Sequence, residues 1–393
     1  MISFTRSSPS LNELLARGIY TIPAGLPFAQ DLAVGILASV QTPEQLAEIK
    51  ILLPSRRAAQ ALKTAFIQQS EGQALFLPDM QPIGDVDELD PGYLSQHFQA
   101  DDLSDLLPAI SLTDRQMILA RLIQSRSVSG QTLSVAQAFR LAASLARFLE
   151  QIYQSGGCFS DLKEADIPPE FARHWSEIVT FLGIVLQNWP EITKEMGVMD
   201  PSVRRLALLD KQLHNWSEQP PKTPVILAGS TGSLPKTVAL MRAVRALPAG
   251  LLVFPGHDGS LVSSDDLSSI LGDVGHPLHQ LFTTFASLDV TPDMVPVWPA
   301  CSCQPVITAR TTLMRQVLLP AEQTAQWRQI SRDHPEVDAT ALTGLRLVEA
   351  NDTHHEADII ACLMRETLET SEKTAMLVTP DRQLARQVRA ALL

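Results

Sequence analysis

The stretch IYTIPAGLPFAQDLAVGIL, residues 19–37, determines the predicted fold. It has the pattern of a short β-strand, a turn containing glycine and prolines, and an amphipathic helix. In an α/β domain, the first strand-to-helix turn is where backbone N–H groups at the helix N-terminus bind a nucleotide phosphate. The sequence therefore predicts an α/β domain whose first turn occupies the position of a nucleotide site.

The chemistry of a phosphate loop is missing from this turn. A Walker-type loop needs several glycines, followed by Lys and Ser or Thr for the phosphates and Mg²⁺. Here the turn offers one glycine, Gly25, between Pro23 and Pro27; Pro27 has no backbone N–H, and Phe28 is bulky. No Lys or Arg occurs between residues 18 and 49. We therefore predict a degenerate nucleotide position.

Composition limits the class of protein. With 393 residues, 45% of them hydrophobic and 19% charged, the chain is expected to form two or three globular domains. The first residues lack a signal-peptide pattern, no apolar run is long enough to span a membrane, and the four cysteines are scattered. These features predict a cytoplasmic protein without a metal site. The net charge of −12 disfavours general coating by nucleic acid, although a local basic groove is compatible with it.

Strand and helix patterns continue after the first unit. The run IKILLP at residues 49–54 predicts a buried strand, Ser55 begins a helix extending to about residue 69, and ALFLP at 74–78 predicts a third strand. From about 101 to 216 the apolar period is helical, with Tyr153, Trp175, Trp189 and Trp216 as predicted core residues. Strand patterns return at PVILAG and GLLVFPG, residues 224–229 and 250–256.

These patterns predict a RecA-like parallel-sheet domain of the superfamily 1 helicase kind, interrupted by an all-helical insertion. Residues 1–100 and 217–300 would form the α/β domain and 101–216 the insertion. Residues from 257 to 342 are expected to be irregular and peripheral, with short periodic pieces at 277–286 and 323–331 and with 301–342 as a linker. A second, truncated α/β domain would begin at 343, with strands at RLVEA (346–350) and AMLVTP (375–380); we expect the chain to be truncated because it ends inside a predicted helix.

A catalytic acid is also missing. Helicase-type motors place a carboxylate at the end of a buried strand, where it holds Mg²⁺ and activates water. The corresponding strand, VIL at 225–227, is followed by Ala228, and no Asp or Glu occurs from 219 to 257. Because the lysine and the acid are absent independently, we predict no ATP hydrolysis and no catalytic residue in this chain.

The same loops carry positive charge. Arg56 and Arg57 are in the first turn of a predicted helix, where the helix dipole disfavours cations, so their position suggests a function. Contacts with a DNA backbone use Lys, Arg and hydroxyl groups at loop edges. The predicted DNA-binding residues are Ser55, Arg56, Arg57, Ser230, Thr231, Ser233 and Lys236. For Arg242 and Arg245, a solvated helix face is an equal alternative.

Two segments resemble catalytic motifs but do not meet their requirements. Gly229-Ser-Thr-Gly232 lies between a strand and a helix but lacks the G-x-S-x-G spacing of a nucleophile elbow. His257-Asp258 could provide a general base, but both residues lie in one loop and the sequence indicates no partner.

Six segments resemble the AddB subunits of bacterial AddAB helicase–nucleases, of the alphaproteobacterial type, which act in double-strand break repair. They are IYTIPAGLPFAQDLA (19–33), ILLPSRRAAQALKTAF (51–66), LPDMQPIGDVDE (77–88), VILAGSTGSLPKTVALM (225–241), LLVFPGHD (251–258) and AMLVTPDRQLARQVRAAL (375–392). Their order and spacing carry the resemblance, which extends over essentially the whole chain.

The resemblance implies a position for each motif. Residues 23–30 would occupy the Walker A position, Arg56 and Arg57 the DNA-facing motif Ia, Ala228 the motif II acid, and Arg382 a motif IV-like position. It also implies an AddA-type partner subunit that uses ATP, together with binding to DNA ends and single-stranded DNA in the cytoplasm, at the nucleoid. The family's Mg²⁺-dependent nuclease and four-cysteine iron–sulfur cluster would lie beyond Leu393, so no cofactor is expected here.

Two other classes of function are compatible with the residues. One is an α/β transferase or nucleotide-binding enzyme that uses the loop at 229–233 as a phosphate nest. The other is an interaction scaffold without DNA contact. DNA binding whose affinity falls with salt would separate the leading hypothesis from both.

Overall fold

The computed structural model describes residues 9–70, 72–83, 106–125, 134–156, 182–183, 188–259, 262, 264–301, 305–319, 321–333 and 339–393. The chain divides into two compact units, residues 1–335 and 336–393. Within the described ranges, no helix has both the length and the apolar character needed to cross a membrane.

The first unit is built on a sheet of five parallel strands, counted over the described residues. They are β1 (Ile19–Pro23), β2 (Lys50–Leu53), β3 (Asp79–Pro82), β4 (Val225–Ala228) and β5 (Gly250–Gly256), in the spatial order β1-β5-β4-β2-β3. Lys50 pairs with Val225 and Leu52 with Leu227, so the predicted resumption of one sheet after the helical stretch is confirmed. The all-parallel sheet confirms the α/β fold class and is consistent with a RecA-like sheet.

The helices of this unit surround the sheet and extend from it. They are α1 (Leu11–Arg17), α2 (Phe28–Ser39), α3 (Pro43–Ala47), α4 (Arg56–Gln69), α5 (Leu112–Ser125), α6 (Val135–Ser155), α7 (Pro201–Glu218), α8 (Pro235–Ala246), α9 (Ser264–Gly272), α10 (His279–Ser287), α11 (Pro305–Val317) and α12 (Gln326–Asp333). Residues 188–195 are also helical.

Two apolar cores lie on opposite faces of the sheet, because successive strand side chains point to opposite sides. Ile51 and Leu53 of β2 belong to the core that contains α2 and α4. Leu52 belongs to the core that contains α8 and α10. Every residue of β4 is buried, which explains the uninterrupted apolar run VILA in the sequence.

The path of the chain creates a switch point between two neighbouring strands. From β2 the chain passes through α4 to β3, toward one edge of the sheet. From β4 it passes through α8 to β5, in the opposite direction. Ligands of open α/β sheets bind at the carboxyl ends of strands where the order reverses in this way. The loops after β2 and β4 therefore form the position of a candidate site.

The predicted helical region is confirmed where the structure describes it. Helices α5 and α6 pack together around a core that includes Leu119, Leu149 and Trp189. Trp189 is fully buried, as predicted, and Tyr153 and Trp216 are partly buried against the apolar cores. Trp175 and most of the predicted helix from 171 to 189 lie outside the described residues.

The third strand was predicted at the wrong position. Residues 74–78 form no strand, and β3 comprises residues 79–82 instead. Leu75 and Leu77 pack against the core as partly buried side chains, but hydrogen bonding to β2 begins only at Asp79, whose N–H donates to the carbonyl of Ile49 at 2.9 Å. The apolar run at 74–78 therefore indicates partial burial of its leucines and not strand pairing.

The prediction that residues 257–342 are irregular and peripheral was also wrong. They include α9, α10, α11 and α12, and Phe282 and Phe285 of α10 are buried in the core beside β5. The short periodic pieces at 277–286 and 323–331 correspond to α10 and α12, but their patterns did not predict that α10 packs into the core.

The second unit consists of two helices, α13 (Thr353–Leu368) and α14 (Arg382–Leu392), that pack through Ala357, Leu384 and Val388. The strands predicted at 346–350 and 375–380 are absent from it. In the described part of this unit neither segment pairs with another strand, and Leu347 and Met376 are 90% and 84% exposed. A strand pattern without a hydrogen-bonding neighbour does not form a sheet.

Candidate nucleic-acid interface

The turn after β1 is closed by apolar side chains. Gly25 has a positive φ of 85°, and a Cβ atom there would lie 3.2 Å from the side chain of Ile307 in α11. Pro27 precedes α2 as its N-cap and makes no side-chain capping hydrogen bond. Pro23 is the last residue of β1 and pairs with Gly256. The space where a phosphate would approach this turn is therefore bordered by Ile307.

The start of α2 and the turn after β2 both approach Gly229, immediately after β4. A Cβ atom at this glycine would lie 3.3 Å from the ring of Phe28, the first residue of α2 after the β1 turn, and 3.6 Å from Pro54, in the turn after β2. Its φ of 79° also favours glycine. The bulky Phe28 ring thus lies against the carboxyl end of β4.

Ala228 is the last residue of β4 and is completely buried. Its side chain belongs to the same apolar core as Ile226 and Val253. A methyl group packed at this place cannot coordinate a metal ion or accept a proton. Among the described residues, no group of three or more His, Cys, Asp or Glu side chains is placed to hold a metal ion.

Asp31 is a buried carboxylate near this edge that sequence reasoning missed. It lies in the first turn of α2 and is 5% exposed. Burial, together with the charge of Asp31 and a hydrogen bond to it, raises the pKa of the Cys301 thiol to about 12. The Trp298 indole donates to the backbone carbonyl of Asp31 at 3.0 Å. Asp31 is therefore engaged with the protein interior, and the signal, a lone acid in an apolar helix, is not specific.

Arg56 and Arg57 begin α4 directly after the turn that follows β2, and both are exposed. Ser55 is the N-cap, because its hydroxyl accepts the N–H of Ala58 at 3.2 Å. The first turn of α4 contains no acidic residue. Two guanidinium groups therefore add to the positive end of a helix dipole, which creates a local attraction for anions.

The loop after β4 is hydrogen-bonded to α10. The hydroxyl of Thr284 donates to the carbonyl of Thr231 at 2.7 Å, and Gln280 donates to the carbonyl of Gly232 at 3.1 Å. The N–H of Gly232 is bound by the Ser230 hydroxyl at 3.3 Å. An anion nest needs such N–H groups, so this internal bond weakens the transferase alternative.

Lys236 forms an ion pair with Asp210 of α7. The two side chains are 39% and 53% exposed, so the pair is a weak surface contact. Lys236 also borders a cleft of about 160 Å³ at the switch point, together with Pro54, Ser230, Ser233 and, from α6 and α7, Gln154, Arg205 and Gln212. Sequence reasoning missed the last three residues because they reach the sheet only through tertiary packing of the helical region.

Other predicted residues lie apart from this cleft. Arg242 and Arg245 donate to the carbonyls of Ser287 and Leu288 at the end of α10, where cations complement the helix dipole. They therefore have a role in the fold. Arg382 is the first residue of α14 in the second unit.

His257 and Asp258 do not form a catalytic pair. His257 is 2% exposed, its Nε2 lies 3.1 Å from the carbonyl of Pro292, and burial lowers its pKa. Asp258 forms an ion pair with Arg315. The imidazole therefore serves as a core side chain.

No protein-family model matches the chain, and no curated protein matches it. The resemblance to AddB subunits therefore has the six sequence segments as its support.

Proposed function

We propose that this chain is the DNA-binding, ATPase-inactive helicase-like part of a helicase–nuclease subunit that acts in double-strand break repair and homologous recombination. One observation supports the proposal: the start of α2 and the turn after β2 both approach Gly229, where the Phe28 ring packs, and the turn after β2 leads to Arg56 and Arg57. The turn that would hold a nucleotide is bordered by apolar side chains, and the start of α4 nearby is cationic.

A nucleic-acid backbone suits this arrangement better than a bound nucleotide. A triphosphate needs an enclosed set of N–H donors and a metal carboxylate. The first turn offers Pro27 and the neighbouring Ile307, and β4 ends in Ala228. An exposed pair of arginines at a helix start can instead contact successive phosphates of a strand from the solvent side.

The proposed partners follow from the family resemblance. An AddA-type subunit would supply ATP-driven translocation, and the ligands would be DNA ends and single-stranded DNA. In that arrangement this chain binds DNA, and the partner subunit hydrolyses ATP.

The test is the salt dependence of DNA binding by Arg56→Ala/Arg57→Ala, measured on the full chain with single-stranded DNA, with and without the partner subunit. If both side chains contact phosphates, the log–log slope should flatten by about 1.4 units, since each neutralised phosphate contributes about 0.7 on a single strand. The loss should be similar for all sequences.

The matched control is Arg328→Ala/Arg332→Ala, which removes two exposed charges from α12. It should leave the slope close to that of the unaltered chain. Equal slopes for both double variants, or no DNA binding at all, would reject the proposed interface and favour the interaction scaffold.

A further inference from the structure

Two side chains of α10 are hydrogen-bonded to the loop after β4, residues 229–234. The hydroxyl of Thr284 donates to the carbonyl of Thr231 at 2.7 Å, and the Gln280 amide, one turn earlier in α10, donates to the carbonyl of Gly232 at 3.1 Å. The Gln280 amide and the Thr284 hydroxyl also lie 3.5 Å apart. One face of α10 therefore binds two successive carbonyls of a loop that lies outside any strand or helix.

The loop also packs directly on Thr284. A Cβ atom at Gly232 would lie 2.6 Å from the Thr284 hydroxyl oxygen and 2.7 Å from its methyl carbon, so the loop backbone touches this side chain. Thr284 is 1% exposed, and a buried hydroxyl that loses its acceptor costs free energy. The hydroxyl therefore favours the loop conformation in which Thr231 is its acceptor.

The residues on either side of the two bound carbonyls face the candidate interface. Ser230 and Ser233 line the cleft at the switch point, and both are among the predicted DNA-binding residues. Thr284 and Gln280 do not line this cleft, and the buried Thr284 cannot reach a ligand there. These two residues of α10 can therefore influence the cleft only through the loop.

We propose that Thr284 and Gln280 are positioning residues, which hold the loop after β4 so that Ser230 and Ser233 are placed to contact DNA at the cleft. This role rests on the proposed function, because the cleft is part of the proposed DNA interface. Neither residue supplies charge to the interface. Their effect is to reduce the conformational freedom that the loop has to lose when DNA binds.

The test replaces the Thr284 hydroxyl by a methyl group in Thr284→Val, which keeps the shape of the side chain. Amide hydrogen exchange of peptides covering residues 229–236, measured on the full chain without DNA, should become faster. The affinity for single-stranded DNA should fall about two- to tenfold, the range expected for the loss of one hydrogen bond. The log–log salt slope should stay unchanged, because no phosphate contact is removed. Thr284→Ser keeps the hydroxyl and should retain most of the affinity and of the slow exchange.

Two controls separate positioning from a general loss of stability. Thr283→Val makes the same replacement at the neighbouring, exposed residue of α10 and should change neither measurement. Phe285→Leu removes core contacts of α10, since Phe285 is 1% exposed and packs against Phe254. It should lower the free energy of unfolding but leave the DNA affinity of the folded protein unchanged. An equal loss of affinity in Phe285→Leu and Thr284→Val would overturn the proposal, because a general weakening of α10 would explain both.

A flatter salt slope in Thr284→Val would also overturn the proposal. If Thr284→Val does not fold, Gln280→Ala takes its place with the same expected results, because Gln280 is only partly buried and its amide binds the adjacent carbonyl. DNA binding by the unaltered chain, combined with unchanged loop exchange in the α10 variant, would overturn the positioning role alone. Absence of DNA binding by the unaltered chain would overturn the proposed function and, with it, the role at the cleft.

Discussion

The indole of Trp298 lies against the backbone of Gly35 so closely that a Cβ atom at position 35 would fall 2.2 Å from indole Nε1. The indole N–H donates to the carbonyl of Asp31, one turn earlier in α2. The backbone N–H of Trp298 donates to the carbonyl of Thr21 in β1 at 2.7 Å. A tryptophan from a segment predicted to be peripheral thus joins α2 to the outer edge of the sheet.

We expect Gly35→Ala to destabilise the protein by about 1–3 kcal/mol, the usual cost of overpacking a well-filled core. The added methyl group must displace the Trp298 ring, which is itself buried against Tyr20. Urea unfolding measures the change. Gly272→Ala is the control: a Cβ atom at Gly272 meets no atom within 4 Å, so this change should be neutral or stabilising. Equal effects would show that the Trp298 contact does not limit position 35.

A second prediction concerns the buried ion pair of the helical region. Asp200 Oδ2 lies 2.9 Å from Arg115 Nε and accepts from the Trp189 indole at 3.0 Å, while Oδ1 caps α7 at the N–H of Ser202. Asp200→Asn keeps an oxygen for the cap but leaves the guanidinium without its counter-charge. Breaking a buried pair in this way costs about 3–5 kcal/mol.

The matched control for Asp200→Asn is Asp210→Asn, which removes a carboxylate from the exposed pair with Lys236. Its effect on the free energy of unfolding should stay below about 1 kcal/mol. Similar losses from the two variants, measured by urea unfolding, would contradict a structural role for the buried pair.

Strong local patterns predicted the positions of β1, β2, β4 and β5, whereas tertiary contacts determined the position of β3 and the absence of strands from the second unit. The run VILA is apolar throughout because β4 is covered on both faces, so its burial could be predicted from the sequence alone. Leu347 and Met376 belong to similar apolar runs, yet they are exposed and form no strand. Pairing depends on a neighbour that a single segment does not encode.

The candidate site was also predicted only in part: local features were predicted, and long-range contacts were not. The exposure of Arg56 and Arg57 followed from their place after an N-cap. The closure of the first turn by Ile307 could not be predicted, because α11 is almost 300 residues away and its sequence carries no sign of that contact. For the same reason, the pairing of Lys236 with Asp210 required the structure.

A third prediction is that ATP turnover stays at background, with or without single-stranded DNA. The turn at Gly25 faces Ile307, and β4 ends in the buried Ala228, so neither phosphate donors nor a metal carboxylate are supplied there. A phosphate-release assay on the full chain measures this. Turnover that disappears on Gly25→Val would contradict the prediction, because it would assign hydrolysis to this turn.

A fourth prediction concerns acid stability and His257. Burial lowers its pKa below the ordinary value of 6.5, so the folded protein favours the neutral imidazole. The unfolded chain takes up the proton first as pH falls through about 6.5, which stabilises the unfolded state until the pH drops below the pKa of the folded protein. The free energy of unfolding should therefore decrease from about pH 7.5 to pH 5. His257→Phe should remove part of that decrease in urea titrations, and an unchanged pH dependence would refute this assignment.

The last prediction ranks the cations of the proposed DNA interface. Among the described residues Arg57 forms no ion pair, whereas Lys236 is paired with Asp210. A paired lysine must give up its carboxylate before it can neutralise a phosphate, so Arg57→Ala should reduce DNA affinity and flatten the salt slope, by about 0.7 units, more than Lys236→Ala does. By the same reasoning, Asp210→Asn should strengthen DNA binding, because it releases Lys236 and removes a negative charge beside the cleft. Fluorescence anisotropy with single-stranded DNA at several salt concentrations measures all three variants. If Lys236→Ala has the larger effect, or if Asp210→Asn weakens binding, then the DNA contacts the 229–236 loop and not the start of α4.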